Sequence, residues 1–218
     1  MHSVADFPSH DPAPAGTGRS APSVEMRARL VDALADVIDA DGYGPSRVRD
    51  VARLARVSLT TFYLAFPTKQ ECLVALAARS EQQAAAWIAD RSASATEPWP
   101  EAVEAIIRDG LRLVLKRPRV AYAVLAELAG LEESGRRAWR DALEGLAAAI
   151  AAGVVVSRAA VGASTELRLG DDAAAFVAGG LIEGLIGLII ESADADHRAA
   201  RIDALAATAA HAISRLAD

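Results

Sequence analysis

The sequence predicts an all-α protein, on three observations. Apolar residues make up 52% of the 218 positions while aromatic ones make up only 5%, so alanine carries the apolar content, and alanine favours helices over sheets. Apolar residues recur with a period near 3.6 from Met26 onward, and no stretch alternates convincingly as a strand would. Capping residues, glycines and prolines divide the periodic segments into about nine helices. The predicted layout is a tail over 1–22, a three-helix unit with a helix-turn-helix over 23–68, and a larger helical domain over 69–218.

The tail holds Pro8, Pro12, Pro14 and Pro22 among small residues and reads as disordered, with Arg19 its only basic residue. Helix 1 follows Ser23, an N-cap, with Met26, Leu30, Leu34, Val37 and Ile38 on one face, Asp32, Asp36 and Asp39 on the other, and Gly42 ending it. Ser46 is expected to cap a short second helix whose apolar side is Val48, Val51, Ala52 and Leu54. After the break at 55–58, a third helix runs to Ala65, Pro67 and Thr68 turn the chain, and a long helix spans Lys69 to about Asp90. Further helical patterns begin near Pro98 and Pro100, at Pro118, and around Trp139 to Val154. Residues 158–170 read as a loop, Asp171 as the cap of an apolar helix to Glu191, and 194–216 as the last helix.

The formal net charge is −6, which alone disfavours a nucleic-acid partner, but the charge is unevenly placed. Residues 42–70 hold five basic side chains and one acid, for +4, whereas 71–218 hold 15 basic and 21 acidic, for −6. A short basic segment on an acidic body suits a protein that touches DNA at one end. The single cysteine, Cys72, forms no internal disulfide and fits a reducing cytoplasm, and the first ten residues do not resemble a signal peptide. The run Ala173–Ile190 carries Glu183 and four glycines, which favours a buried helix over a membrane span. His197 and His211 lack metal-spaced partners, and no nucleophile elbow, phosphate loop or complete dinucleotide fingerprint is present. Neither enzyme activity, metal nor cofactor is therefore expected.

The decisive stretch is Arg47 to Phe66, where two short amphipathic helices flank a tight turn. Val51, Ala52, Val57 and Phe62 are spaced to seal the pair against helix 1, and Ser58 can cap the second helix. Over residues 25–76, the runs "SRVRDVARLARVS", "TTFYLAF" and "PTKQECL", in that order and spacing, resemble the TetR family of transcriptional regulators. The resemblance implies that Arg49 and the recognition-helix residues Leu59, Thr60 and Thr61 approach base edges, while Tyr63 and Lys69 hold phosphates. Leu64 and the two serines Ser46 and Ser58 complete the expected DNA-binding set. The chemistry agrees, since arginine pairs bidentately with guanine, threonine offers a hydroxyl and a methyl, and Lys69 stands at a helix N-terminus. Two departures from the family pattern are Arg56 in the turn, where glycine is usual, and the apolar Leu59 and Leu64 in the reading helix.

The resemblance also implies a homodimer whose last two helices pair with those of a second subunit. Gly180, Leu181, Gly184, Leu188, Leu205, Ala209 and Ile213 are the expected contacts. Between head and dimer face, the body would enclose a cavity for a small apolar or amphipathic ligand, with Trp87, Tyr122, Trp139 and Phe176 as candidate walls. Glu127 and Glu183 are candidate contacts for a cationic or hydroxylated ligand. The expected function is a cytoplasmic, ligand-released repressor bound to a double-stranded operator. A helical ligand-binding or scaffold protein with a helix-turn-helix that no longer binds DNA is the alternative, a helical enzyme acting on apolar substrates is another, and activation rather than repression fits the same sequence.

Overall fold

Capping chemistry and apolar periodicity produce, among the described residues, nine α-helices and no strand. The structure is a computed structural model describing residues 23–131, 133–166, 170–191 and 195–217. The tail over 1–22, with Arg19 and its expected disorder, lies outside the described residues.

Helix α1 (Val24–Asp41) starts where the Ser23 hydroxyl accepts from the Met26 amide at 3.1 Å, and ends at Gly42, whose φ of 86° suits glycine. Helices α2 (Val48–Leu54) and α3 (Leu59–Ala65) follow, then the long α4 (Lys69–Ala93). Helix α4 opens on a capping arrangement in which the Thr68 hydroxyl accepts from the Glu71 amide at 3.1 Å. It runs three residues past the expected end at Asp90. Helices α5 (Trp99–Val114) and α6 (Pro118–Tyr122) come next, and α6 continues as a π turn over Ala123–Glu127 and a 3₁₀ turn over Leu128–Gly130. Helices α7 (Glu133–Ala160), α8 (Asp171–Ile190) and α9 (Ala195–Ala217) complete the body.

Four expectations about local structure need correction. The cap position of α2 is Arg47 with no side-chain bond, because the Ser46 hydroxyl turns inward and donates to the Tyr43 carbonyl at 2.6 Å. The cap position of α8 is Gly170 rather than Asp171, which is already helical. Leu54 is half exposed because α2 buries a narrow face, Val51 and Ala52, against α1. The loop expected over 158–170 starts later, since α7 extends to Ala160, and residues 167–169 lie outside the described residues.

Three cores organise the helices, the smallest formed by Leu111 of α5, Leu185 and Leu188 of α8 and Ile202 of α9. The first joins Leu30, Leu34 and Ile38 of α1, Val51 of α2, and Phe62 and Phe66 of the α3 segment to Cys72, Leu73 and Leu76 of α4 and Leu128 beyond α6. The second holds Val103 of α5, Ile150 and Val154 of α7, Leu181 of α8 and Ile213 of α9. Helix α4 contributes its first turns to the first core and lies along α7 in the body, so one rigid rod links the two ends of the molecule. Helices α7 and α8 are long and apolar enough to cross a membrane by length and composition, and both pack against other helices of the body.

Candidate nucleic-acid interface and ligand cavity

The turn between α2 and α3 is a Schellman motif. The Val57 amide donates to the Ala52 carbonyl at 2.9 Å and the Arg56 amide to the Arg53 carbonyl at 3.1 Å. Such a motif places its penultimate residue in the left-handed region, and here that residue is Arg56, with φ of 56°. The strain of a Cβ there is about 1 kcal/mol. The side chain points to solvent beside the reading helix, which keeps its charge in reach of a polyanion.

Helix α3 divides cleanly. Phe62 and Ala65 are buried in the first core, whereas Tyr63 is 53% exposed and Leu59 and Leu64 nearly as much. Thr60 is exposed and Thr61 half-buried, its hydroxyl sharing a 2.8 Å hydrogen bond with the capping Ser58. Ser58 also accepts from the Thr61 amide at 3.0 Å, so its first role is to start the helix. Arg49 is exposed on α2, and among the described residues neither Arg47, Arg49 nor Arg56 has an ion pair inside the chain. Arg53, by contrast, is held by Asp50 at 3.2 Å.

Two members of the expected set sit elsewhere. Ser46 is buried, with its hydroxyl bonded to Tyr43, and is therefore withdrawn from any duplex. The Lys69 ammonium donates to the Tyr43 carbonyl at 2.7 Å, the Ser46 carbonyl at 3.0 Å and the Ser46 hydroxyl at 3.3 Å. It also lies 4.1 Å from the centre of the Tyr43 ring. Its three protons are thus engaged in tying the α1–α2 connection to the start of α4, rather than offered to a phosphate. Burial pushes its pKa down, countered by the charge of Glu127. Arg27, which the sequence reading passed over, plays the matching part for α3: it stacks 4.1 Å from the Phe66 ring and donates to the Ala65 carbonyl at the helix end. An arginine on the polar face of an amphipathic helix carries no sequence signal that would single it out.

Below the head lies a cavity of about 450 Å³ between α4, α5, α6, α7 and α8. Trp87, Ile107, Leu146 and Leu185 are among its apolar walls, and Gly110 leaves room for the Trp87 ring, which a Cβ there would meet at 3.2 Å. Of the six expected ligand contacts, Trp87 alone lines it. Trp139 instead donates its indole N–H to the Leu125 carbonyl at 3.2 Å and packs on the first core. Glu127 is off the cavity wall, and its charge acts on Tyr43 and Lys69. Tyr122 is half-buried outside the cavity lining, and Phe176 and Glu183 are exposed on the outer side of α8. The polar wall residues are ones the sequence did not single out: Arg79, Ser80, Glu81, Gln83, Ser92 and Arg117. The Ser92 hydroxyl and the Arg79 Nε are buried without hydrogen-bond partners. Each such atom costs about 1–3 kcal/mol until something satisfies it.

The expected dimer residues are mostly used within one chain. Leu181, Leu188, Ala209 and Ile213 are buried between α8, α9 and their neighbours, and Leu205 lies against Gly184, closer than a Cβ there would allow. Ile213 has no accessible surface left, and Leu181, Leu188 and Ala209 keep only 4–8% of theirs for a partner. Gly180 is exposed, in line with Phe176, Glu183, Gly187 and Ile190 on the outer stripe of α8.

Residues 30–76 match the model of the family described as bacterial regulatory proteins, tetR family. No curated protein matches the chain in sequence. Among solved structures, the fold is similar to the fatty acid degradation regulator FadR from Bacillus halodurans, with a TM-score of 0.68 and 18% identity over 86% of this chain and 96% of that one. It is similar to a transcriptional regulator from Rhodococcus sp. Rha1, with a TM-score of 0.66 and 21% identity over 88% and 97% of the two chains. It is also similar to FadR from Bacillus subtilis in complex with stearoyl-CoA, with a TM-score of 0.62 and 19% identity over 86% and 97%.

Proposed function

We propose that the chain is a regulator of the TetR type, a cytoplasmic homodimeric repressor that leaves its operator when a small apolar or amphipathic molecule enters the body; the family-model match over residues 30–76 and the similar folds support this reading. The observation that carries the reading is the division of α3, with Phe62 and Ala65 anchored inside while Leu59, Thr60, Tyr63 and Leu64 stand outside on a segment of net positive charge. Helix α2 offers Arg49 from the side, and Ser58 fixes where α3 begins. Base reading would rest on Arg49, Thr60 and Thr61, with thymine methyls meeting the two leucines and Tyr63 meeting the backbone.

Release follows from α4 joining the first core to the cavity wall. Leu76 belongs to the head core and to the cavity wall, so a ligand that displaces α4 also moves the head. In a dimer the two reading helices must meet major grooves roughly 34 Å apart, and a ligand need only favour a state with another spacing. The outer stripe of α8, from Phe176 through Gly180 to Ile190, is the surface best suited to the second subunit: apart from Glu183 it is apolar, Phe176 and Ile190 are exposed, and it is flat where Gly180 and Gly187 lack side chains. The complex of a similarly folded regulator with stearoyl-CoA supports a chain-like ligand for this fold.

Footprinting the full-length protein on DNA flanking its own gene, at stated salt, tests the reading. The expected result is a protected near-palindrome with binding that weakens steeply as salt rises. Equal affinity for that DNA and a random competitor at low ionic strength would remove the proposal in favour of the non-DNA-binding alternative.

A further inference from the structure

Two arginines of the cavity wall also face helix α1. Arg79 of α4 pairs with Asp32 at 2.7 Å, and Arg117 at the start of α6 pairs with Asp36 at 2.8 Å and Asp39 at 3.1 Å. Ala35, between those aspartates on α1, is itself part of the cavity lining. Arg119 adds hydrogen bonds to the Asp39 and Ala40 carbonyls at the end of α1. The end of the cavity nearest the head is thus closed by cations whose partners are carboxylates of the head. The Arg79 Nε, buried there, has no partner. The other charged wall residue, Glu81, lies against Gly145 of α7 rather than among these arginines.

The far end differs. Ser92, buried with its unpartnered hydroxyl, lies against Gly153 of α7, and the walls between are apolar. Arg79 and Ser92 are thirteen residues apart on one helix, which at 1.5 Å per residue is roughly 20 Å. The cavity therefore has the length of an extended chain, with cations at one end.

Resting on the reading of the cavity as an effector site, we infer that the effector is a single-chain amphiphile with an anionic head group, carboxylate or phosphate. Its head group binds Arg79 and Arg117 in competition with Asp32, Asp36 and Asp39. The exchange is also the signal, because an arginine that turns to the ligand lets go of α1. By reciprocity, operator DNA should weaken ligand binding by the same factor as the ligand weakens operator binding.

The test compares dodecanoate, dodecyl phosphate and dodecanol, below micelle-forming concentrations, on the full-length protein. Binding is read by calorimetry and tryptophan quenching, and operator release by gel shift. Both anions should bind at least tenfold more tightly than the alcohol and release DNA. Arg79→Gln and Arg117→Gln should remove that preference, while Asp36→Asn with Asp39→Asn should tighten the anions and weaken the operator complex. Arg136→Gln, whose side chain pairs with Glu133 on the surface, is the control expected to change neither. Melting curves by circular dichroism identify any variant that does not fold, and the ligand series on the unaltered protein stands without the variants. If dodecanol binds as tightly as dodecanoate, or if the preference survives in a folded Arg79→Gln, Arg117→Gln double variant, the inference is overturned. Absence of binding by all three chains to a protein that still grips its operator also overturns it and leaves the regulator reading intact. Failure to bind any operator would instead strike the function itself, while anion-selective binding that needs the arginines would still support the ligand class.

Discussion

At the scale of single residues, Arg56 and Lys69 show how side chains with the same charge do unlike work. Arg56 holds a backbone conformation that glycine adopts freely, with a φ of 56°. Replacing it by glycine should relieve about 1 kcal/mol of strain, raising the melting temperature, while weakening operator binding at low salt through the lost charge. Lys69 instead binds three oxygens of the 43–46 segment. Lys69→Met should lower unfolding free energy by about 2 kcal/mol in denaturant titrations. The slope of operator affinity against log salt should stay as it was; a decrease of about one in its magnitude would mean that Lys69 does hold a phosphate.

At the scale of elements, α2 and α3 form a unit whose inner faces are fixed in the first core, leaving outer faces that the proposed function assigns to reading DNA. Arg49 is outside that inner face and makes no ion pair within the described chain, so Arg49→Ala should leave melting unchanged and relax preference at one operator base pair by about 1–3 kcal/mol. Competition binding across single-base operator variants measures it. The first core, on which that inner face packs, also carries a pH limit through Cys72 of α4 and Tyr43 of the α1–α2 connection. Burial pushes the Cys72 thiol up to about 12, and burial with the charge of Glu127 pushes the Tyr43 hydroxyl up to about 12. Both groups ionise more readily unfolded than folded, at ordinary values near 9 and 10. Their contribution to stability is therefore present below pH 9 and fades between pH 9 and 12. Melting temperature should fall over that range, and Tyr43→Phe with Cys72→Ala should flatten the decline. The same burial makes Cys72 a core residue, slow to react with thiol reagents until the head opens.

At the scale of the whole molecule, the proposed function requires the body to bring two heads together and to respond to what it holds. The outer stripe of α8 leaves Phe176 81% and Ile190 64% exposed, with Gly180 and Gly187 between them. Phe176→Asp should convert the dimer to a monomer in analytical ultracentrifugation and lower operator affinity by orders of magnitude, with little change in the helical content of each chain. A dimer that persists in that variant would move the interface to another face.

Local and periodic features were legible in the amino-acid order. Ser23, Gly42, Ser58 and Thr68 mark helix ends because capping is settled within a few residues, and Val51 and Phe62 mark a buried face because helical spacing alone assigns it. Arg56 stood out through the family resemblance, as a departure from the usual glycine of the turn, and the structure gives it a φ of 56°. What Trp139, Phe176 and Leu54 face was decided only by packing, since an aromatic or leucine on a helix fits a core, a cavity wall or an outer surface with equal periodicity. So too with the arginines. Arg79 and Arg117 look like solvated charges in sequence, and only the approach of α4 and α6 to α1, whose aspartates lie 47 to 81 positions away, sets them between three aspartates and a cavity. Helical order is a property of neighbours along the chain, whereas a cavity and its charge pairs exist only where distant segments meet.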